Sequence, residues 1–125
     1  MISKSSVVRA LGGLALSLAL VGCGGSGTPA NTGVSLNVAG SDAFKYDPAT
    51  LTAKVGQEVT VNLENKGALD HSFVIDELSV KLETVKAGTT GHVTFTPSQA
   101  GTYTYYCDVP GHKAAGMTGT LTISP

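Results

Sequence analysis

Apolar and polar residues alternate along this chain in eight short runs, each closed by turn-forming residues, and this pattern restricts the fold to strands packed as a sandwich or barrel. The runs cover residues 34–39, 51–55, 58–64, 71–76, 80–85, 91–96, 102–107 and 118–124. Between them stand Asp47-Pro48, Gly56-Gln57, Asn65-Lys66-Gly67, Ala87-Gly88, Pro97-Ser98 and Gly101, which favour reversals. No window holds a helical period for more than a turn or two, so helix is expected only as a short connector near residues 75–79. The fold class is therefore all-β with eight strands and no internal repeat.

A period of two also assigns faces. In GTYTYYC, ending at Cys107, the residues Tyr103, Tyr105 and Cys107 share one face, expected to be the inner one, and Thr102, Thr104 and Tyr106 share the other. The same count groups His71, Phe73 and Ile75 opposite Ser72 and Val74. A histidine and a cysteine thus point inward at the ends of two strands, where a metal buried between sheets could reach both. Tyr103 and Tyr105 are expected as core aromatics, and His92 as an ordinary surface residue.

Four residues with soft or borderline donor atoms stand as His71 alone, then Cys107, His112 and Met117 at five-residue intervals. Each has an ordinary reading by itself: a hydrogen-bonded histidine, a buried inert thiol, a methionine filling the core. Together, at this spacing, they match the trigonal His₂Cys site with a weak axial methionine that holds blue copper. Pro110-Gly111 allows the chain to reverse and bring His112 back over Cys107, and Lys113-Ala114-Ala115-Gly116 leads compactly to Met117. Three donors come from one loop and His71 from a distant strand. One copper, cycling between Cu(I) and Cu(II), is the expected cofactor.

The segment CDVPGHKAAGMTGTLTI, preceded by GTYTYYC, resembles the ligand loop of cupredoxins such as plastocyanin, azurin and especially auracyanin, whose Cys-to-His and His-to-Met intervals it shares. DHSFVID is similar to the family's first-histidine strand, and the resemblance extends over nearly all of residues 34–125. It implies an eight-stranded Greek-key β-sandwich, the cupredoxin fold, with copper near one end. Two positions depart from the family. Ser72 stands where many cupredoxins carry asparagine to tie the ligand-bearing segments, and a serine has shorter reach. Asp70 stands where azurin has a glycine whose carbonyl approaches copper, and no fifth ligand is assigned.

The N-terminal segment has its own logic. Lys4 and Arg9 precede 12 apolar or small residues from Ala10 to Val21, too few to span a bilayer but suited to the core of a signal peptide, assigned to residues 1–22. Leu20-Val21-Gly22-Cys23 resembles the bacterial lipobox, which makes Cys23 a candidate for lipidation; an unmodified Cys23, or one paired with Cys107, is the alternative. Residues 23–33, rich in glycine and other small residues, read as the lipidated cysteine and a flexible linker. These features predict an extracytoplasmic protein, periplasmic or at the cell surface, lipid-anchored to a bacterial membrane. The remaining 92 residues, 34–125, can form one core without disulfides.

Beyond residue 22 the chain carries six lysines, no arginine and nine acidic residues, a formal charge of −3 that argues against nucleic acid as a partner. The expected function is single-electron transfer between redox proteins of a membrane electron-transport chain, by a monomer. The alternatives are a copper carrier or buffer, which would favour several exposed methionines or histidines, and a copper-dependent oxidoreductase domain, which would need a second metal. Only His92 remains once the blue site is filled, so no enzyme is expected. Electrons are expected to pass at the edge of His112, within an apolar patch that includes Leu69 and Ala115.

Overall fold

Val59, Val61 and Leu63 are fully buried while Thr60, Asn62 and Glu64 between them face outward, so one strand shows how the chain separates core from solvent. The structure, a computed structural model, describes residues 32–125. The signal peptide assigned to residues 1–22, the lipidation of Cys23 and nearly all of the linker lie outside the described residues.

The strands are β1 (Val34–Ser41), β2 (Lys45–Asp47), β3 (Thr50–Lys54), β4 (Val59–Asn65), β5 (His71–Ile75), β6 (Val80–Val85), β7 (Thr90–Phe95), β8 (Gly101–Tyr106) and β9 (Thr118–Ser124). All eight expected strands are present, with bounds that differ by two residues at most. The ninth, β2, buries only Tyr46 and is too short for alternation to announce it. The connector expected near residues 75–79 is a single 3-10 turn, Asp76–Leu78, closed by Ser79 in the left-handed region.

Two sheets result, in the orders β2-β1-β4-β7 and β3-β9-β8-β5-β6. β1 pairs with β4, and β3 with β9, in parallel; the other pairs are antiparallel. A parallel neighbour cannot be reached through a hairpin, so the chain crosses repeatedly from one sheet to the other. The core between the sheets combines Val38, Val59, Val61 and Leu63 with Phe73, Ile75, Leu82, Tyr105, Leu121 and Ile123. At its centre Tyr105 stacks on Phe73 at 4.7 Å and meets the edge of Tyr46 at 5.1 Å. Both phenols stay protonated. Burial pushes Tyr105 up to about 12 and Tyr46 further still, and Tyr46 donates to the carbonyl of Ser72 at 2.6 Å.

That aromatic group sits beneath one end of the sandwich. β5 begins there, and all five of its residues are buried. β8 ends and β9 begins at the same end, so the chain delivers His71 and the 107–117 loop to a common place.

Candidate metal centre

The 107–117 loop is folded by its own backbone. Val109 O accepts from His112 N at 3.0 Å, Gly111 O from Ala115 N at 3.1 Å, Lys113 O from Gly116 N at 3.0 Å and His112 O from Met117 N at 3.0 Å. Cys107 N then closes the loop on Met117 O at 3.2 Å. Gly111 and Gly116 take φ of 84° and 106°, where a side chain would be strained, so the small residues of the loop are a condition of its tightness. Three residues five apart are thereby drawn onto one spot.

His71 comes from the other side. Asn65, at the end of β4 and 1% exposed, holds the segment that leads to it: its amide donates to Leu69 O at 2.7 Å and Val85 O at 2.8 Å, and accepts from Gly67 N at 2.9 Å. The Asp42 carboxylate takes the next two amides, with Ala68 N donating to Oδ2 at 2.7 Å and Leu69 N to Oδ1 at 3.1 Å. Those two backbone hydrogen bonds hold its carboxyl below the usual carboxylate range, and the contact with His71 adds to the effect.

The ligand atoms of His71, Cys107 and His112 all lie within 4.8 Å of one another, and all three residues are buried. Cys107 Sγ stands 3.4 Å from His112 Nδ1. His71 Nε2 faces Asp42 Oδ1 at 3.2 Å, whereas His71 Nδ1 is buried without a hydrogen-bond partner. An orphaned buried nitrogen calls for an explanation, and a metal beside a thiol and a second imidazole supplies it. Met117, also fully buried, borders the same glycine of β1 as His71 does. A Cβ placed on Gly40 of β1 would stand 3.3 Å from Met117 Cε and 3.6 Å from His71 Cβ. Two imidazoles, one thiolate and a thioether fit one type 1 copper.

The hydroxyl of Ser72 ties the two ligand-bearing segments together. It accepts from Asp108 N at 2.9 Å and donates to Asp108 Oδ1 at 2.5 Å, while Ser72 N donates to Cys107 Sγ at 3.3 Å. The hydroxyl also lies 3.6 Å from Sγ, but its single proton is taken by the carboxylate. Ser72 and then Lys81, 3.2 Å away, keep the Asp108 carboxyl low, so it remains an acceptor. The short reach expected of serine is made up by Asp108, which meets it from the neighbouring segment.

The family model described as a cupredoxin-like domain matches residues 14–123. The chain belongs to the cupredoxin-like family. This cupredoxin is 33% identical over 95 residues to a plastocyanin of Scenedesmus fuscus, covering 68% of this chain and 92% of that protein. It is 29% identical over 119 residues to the copper-resistant cuproprotein CopI of Rubrivivax gelatinosus, covering 80% and 72% respectively. Among solved structures, the reduced auracyanin of Roseiflexus castenholzii superposes with a TM-score of 0.68 at 25% identity, over 75% of this chain and 99% of that one.

The cupredoxin brings His71, Cys107 and His112 together as the sequence implies, with Cys107 one residue beyond β8 and Met117 one residue before β9. Leu69 is 45% exposed and Ala115 is exposed, whereas His112 is nearly covered. His92 is exposed on β7, apart from the donor cluster. Asp70, beside His71, pairs with Lys86 at 2.6 Å. Three residues of the site were not foreseen. Asp42 holds His71, Tyr46 holds the Ser72 carbonyl, and Phe44 meets the His112 ring edge-on at 5.0 Å. The alternation of Phe44 and Tyr46 was the one available signal for the latter two, and Asp42 had none.

No helix among the described residues is long and apolar enough to cross a membrane.

Proposed function

We propose that this cupredoxin carries single electrons on a copper that His71 Nδ1, Cys107 Sγ, His112 Nδ1 and the thioether of Met117 would hold. When bound, copper supplies a one-electron Cu(II)/Cu(I) couple. The observation that carries the reading is the buried trio of donors fixed from two independent backbones, with His71 Nδ1 left without any other partner. The protein's own part is rigidity. Asn65 and Asp42 fix the approach to His71, the laced 107–117 loop fixes the other donors, and Ser72 with Asp108 joins the two, so little has to move when charge changes. Burial keeps water from the thiolate.

Electrons enter or leave at His112, the one ligand with residual exposure. Phe44 meets its ring edge-on, and with the exposed Leu69 and Ala115 it would form an apolar surface on which a partner can approach closely without strong binding. Weak redox complexes use small interfaces, so one misplaced charge should matter. Leu69→Glu and Ala115→Glu should each slow electron exchange with the physiological partner about tenfold while the visible spectrum stays unchanged, a loss of about 1.4 kcal/mol in the encounter. Wild-type rates in both variants would move the contact surface elsewhere. The partners are redox proteins of a membrane electron-transport chain. Cys23 tethers this monomer through lipid to a bacterial membrane outside the cytoplasm, in the periplasm or at the cell surface, the linker giving the domain reach.

A second reading, copper binding in the service of copper resistance, draws on the likeness to CopI. A carrier must release its metal, whereas the donors here are buried. Copper exchange with a chelator separates the two: a carrier exchanges within minutes, and an electron-transfer site keeps its metal while cycling.

A further inference from the structure

Three carboxylates stand next to the copper ligands, and they are not equivalent. Asp70 precedes His71 and pairs with Lys86 at 2.6 Å. Asp108 follows Cys107 and pairs with Lys81 at 3.2 Å. Each of these charges is answered by a cation of the surface. Asp42 has no lysine or arginine partner among the described residues; its ion-pair contact is with the ring of His71 itself, Nε2 to Oδ1 at 3.2 Å. The only uncompensated carboxylate at the site is therefore aimed at a ligand.

The fold makes room for that contact. Asp42 lies just beyond β1, on the far sheet from β5, and reaches His71 because the segment between β4 and β5 wraps around it. A Cβ on Gly67 would overlap the Asp42 carboxylate. Gly67 and the two amides at Ala68 and Leu69 form a seat that leaves Oδ1 facing the imidazole.

We propose that Asp42 is a positioning residue for His71 that also sets the reduction potential of the site, an inference that rests on the copper reading above. An ionised carboxylate accepts but cannot donate, so the proton of the neutral imidazole must sit on Nε2, which leaves the Nδ1 lone pair for the metal. The same hydrogen bond raises the basicity of the ring, and the fixed negative charge favours the more positive oxidation state. Asp42 thereby lowers the potential, and the 37% exposure of its side chain makes the effect weaker in high salt.

The test uses full-length, copper-loaded protein. Asp42→Asn keeps the shape and one acceptor but removes the charge. It should keep the visible band and shift the one-electron equilibrium toward the reduced state by about tenfold, which is about 59 mV. In the reduced, diamagnetic protein the Nε2 proton of His71 should be a slowly exchanging NMR signal that moves or exchanges faster in the variant. Gly67→Ala keeps the charge in the chain but pushes it off the ring, so it should disturb the same proton signal and raise the potential by less. If Asp42 only secures the loop, Asp42→Asn will lower thermal stability and leave the potential and the ring proton unchanged. That result overturns the inference while the copper reading stands. A wild-type protein without the thiolate-to-copper band overturns both.

Discussion

Replacing Cys107 with alanine should abolish the visible colour of the copper-loaded protein and leave a folded β-sandwich. Cys107 is the only cysteine among the described residues, and intense visible absorption in a copper site arises from charge transfer out of such a sulfur; neither His71, His112 nor Met117 can replace it. The structural cost is modest. Sγ is fully buried and accepts the amide of Ser72 at 3.3 Å, so alanine leaves one amide without its partner, at about 1–2 kcal/mol. A far-ultraviolet circular dichroism spectrum like that of the wild type, together with loss of the intense visible band, is the expected pair of observations. An unchanged visible spectrum would remove Cys107 from the site and with it the blue-copper assignment.

The largest loss of stability should come from Asn65→Ala. One buried side chain there makes three hydrogen bonds to backbone groups of two separate stretches, Gly67 and Leu69 in the loop before β5 and Val85 at the end of β6. Alanine strands an amide and two carbonyls. An unpaired buried polar group costs about 1–3 kcal/mol, and Leu69 is exposed enough for water to recover part of its share, so a net loss of roughly 3 kcal/mol is expected. For a domain of this size that is a fall in Tm of more than about 10 °C. Asn65→Asp should be nearly as harmful, because a carboxylate cannot donate to Leu69 O and Val85 O. Thermal unfolding of the metal-free protein measures both. The copper affinity should fall too, since the segment that Asn65 secures leads directly into His71. A change in Tm of less than about 3 °C would show that the loop is held by something else.

What the sequence disclosed and what it concealed have a common cause. Strands disclosed themselves wherever alternation ran for five residues or more, as in β4, where Val59, Val61 and Leu63 carry the inner face. The donors could be read because three of them lie within one loop, so local spacing carries their geometry. β2 was concealed by its length of three residues, although Tyr46 on it closes the aromatic centre of the core. Asn65 stood in a stretch read as turn punctuation, and nothing local says that its side chain turns inward to serve three partners. Asp42 and Phe44 matter only because the end of β1 folds over His71 and the 107–117 loop, a juxtaposition across 29 residues for Asp42 and His71. Ser72 was legible as a departure from the family, but its remedy lies in Asp108, 36 residues away. Pairings of that range belong to the assembled fold.

The most direct test of the copper centre is the visible and electron paramagnetic resonance spectrum of the full chain after addition of Cu(II). One copper per chain, an intense blue or green thiolate-to-copper band, and its complete and reversible bleaching by a single electron are expected. A colourless protein, or one with only the faint absorption of copper bound through nitrogen and oxygen, would contradict it.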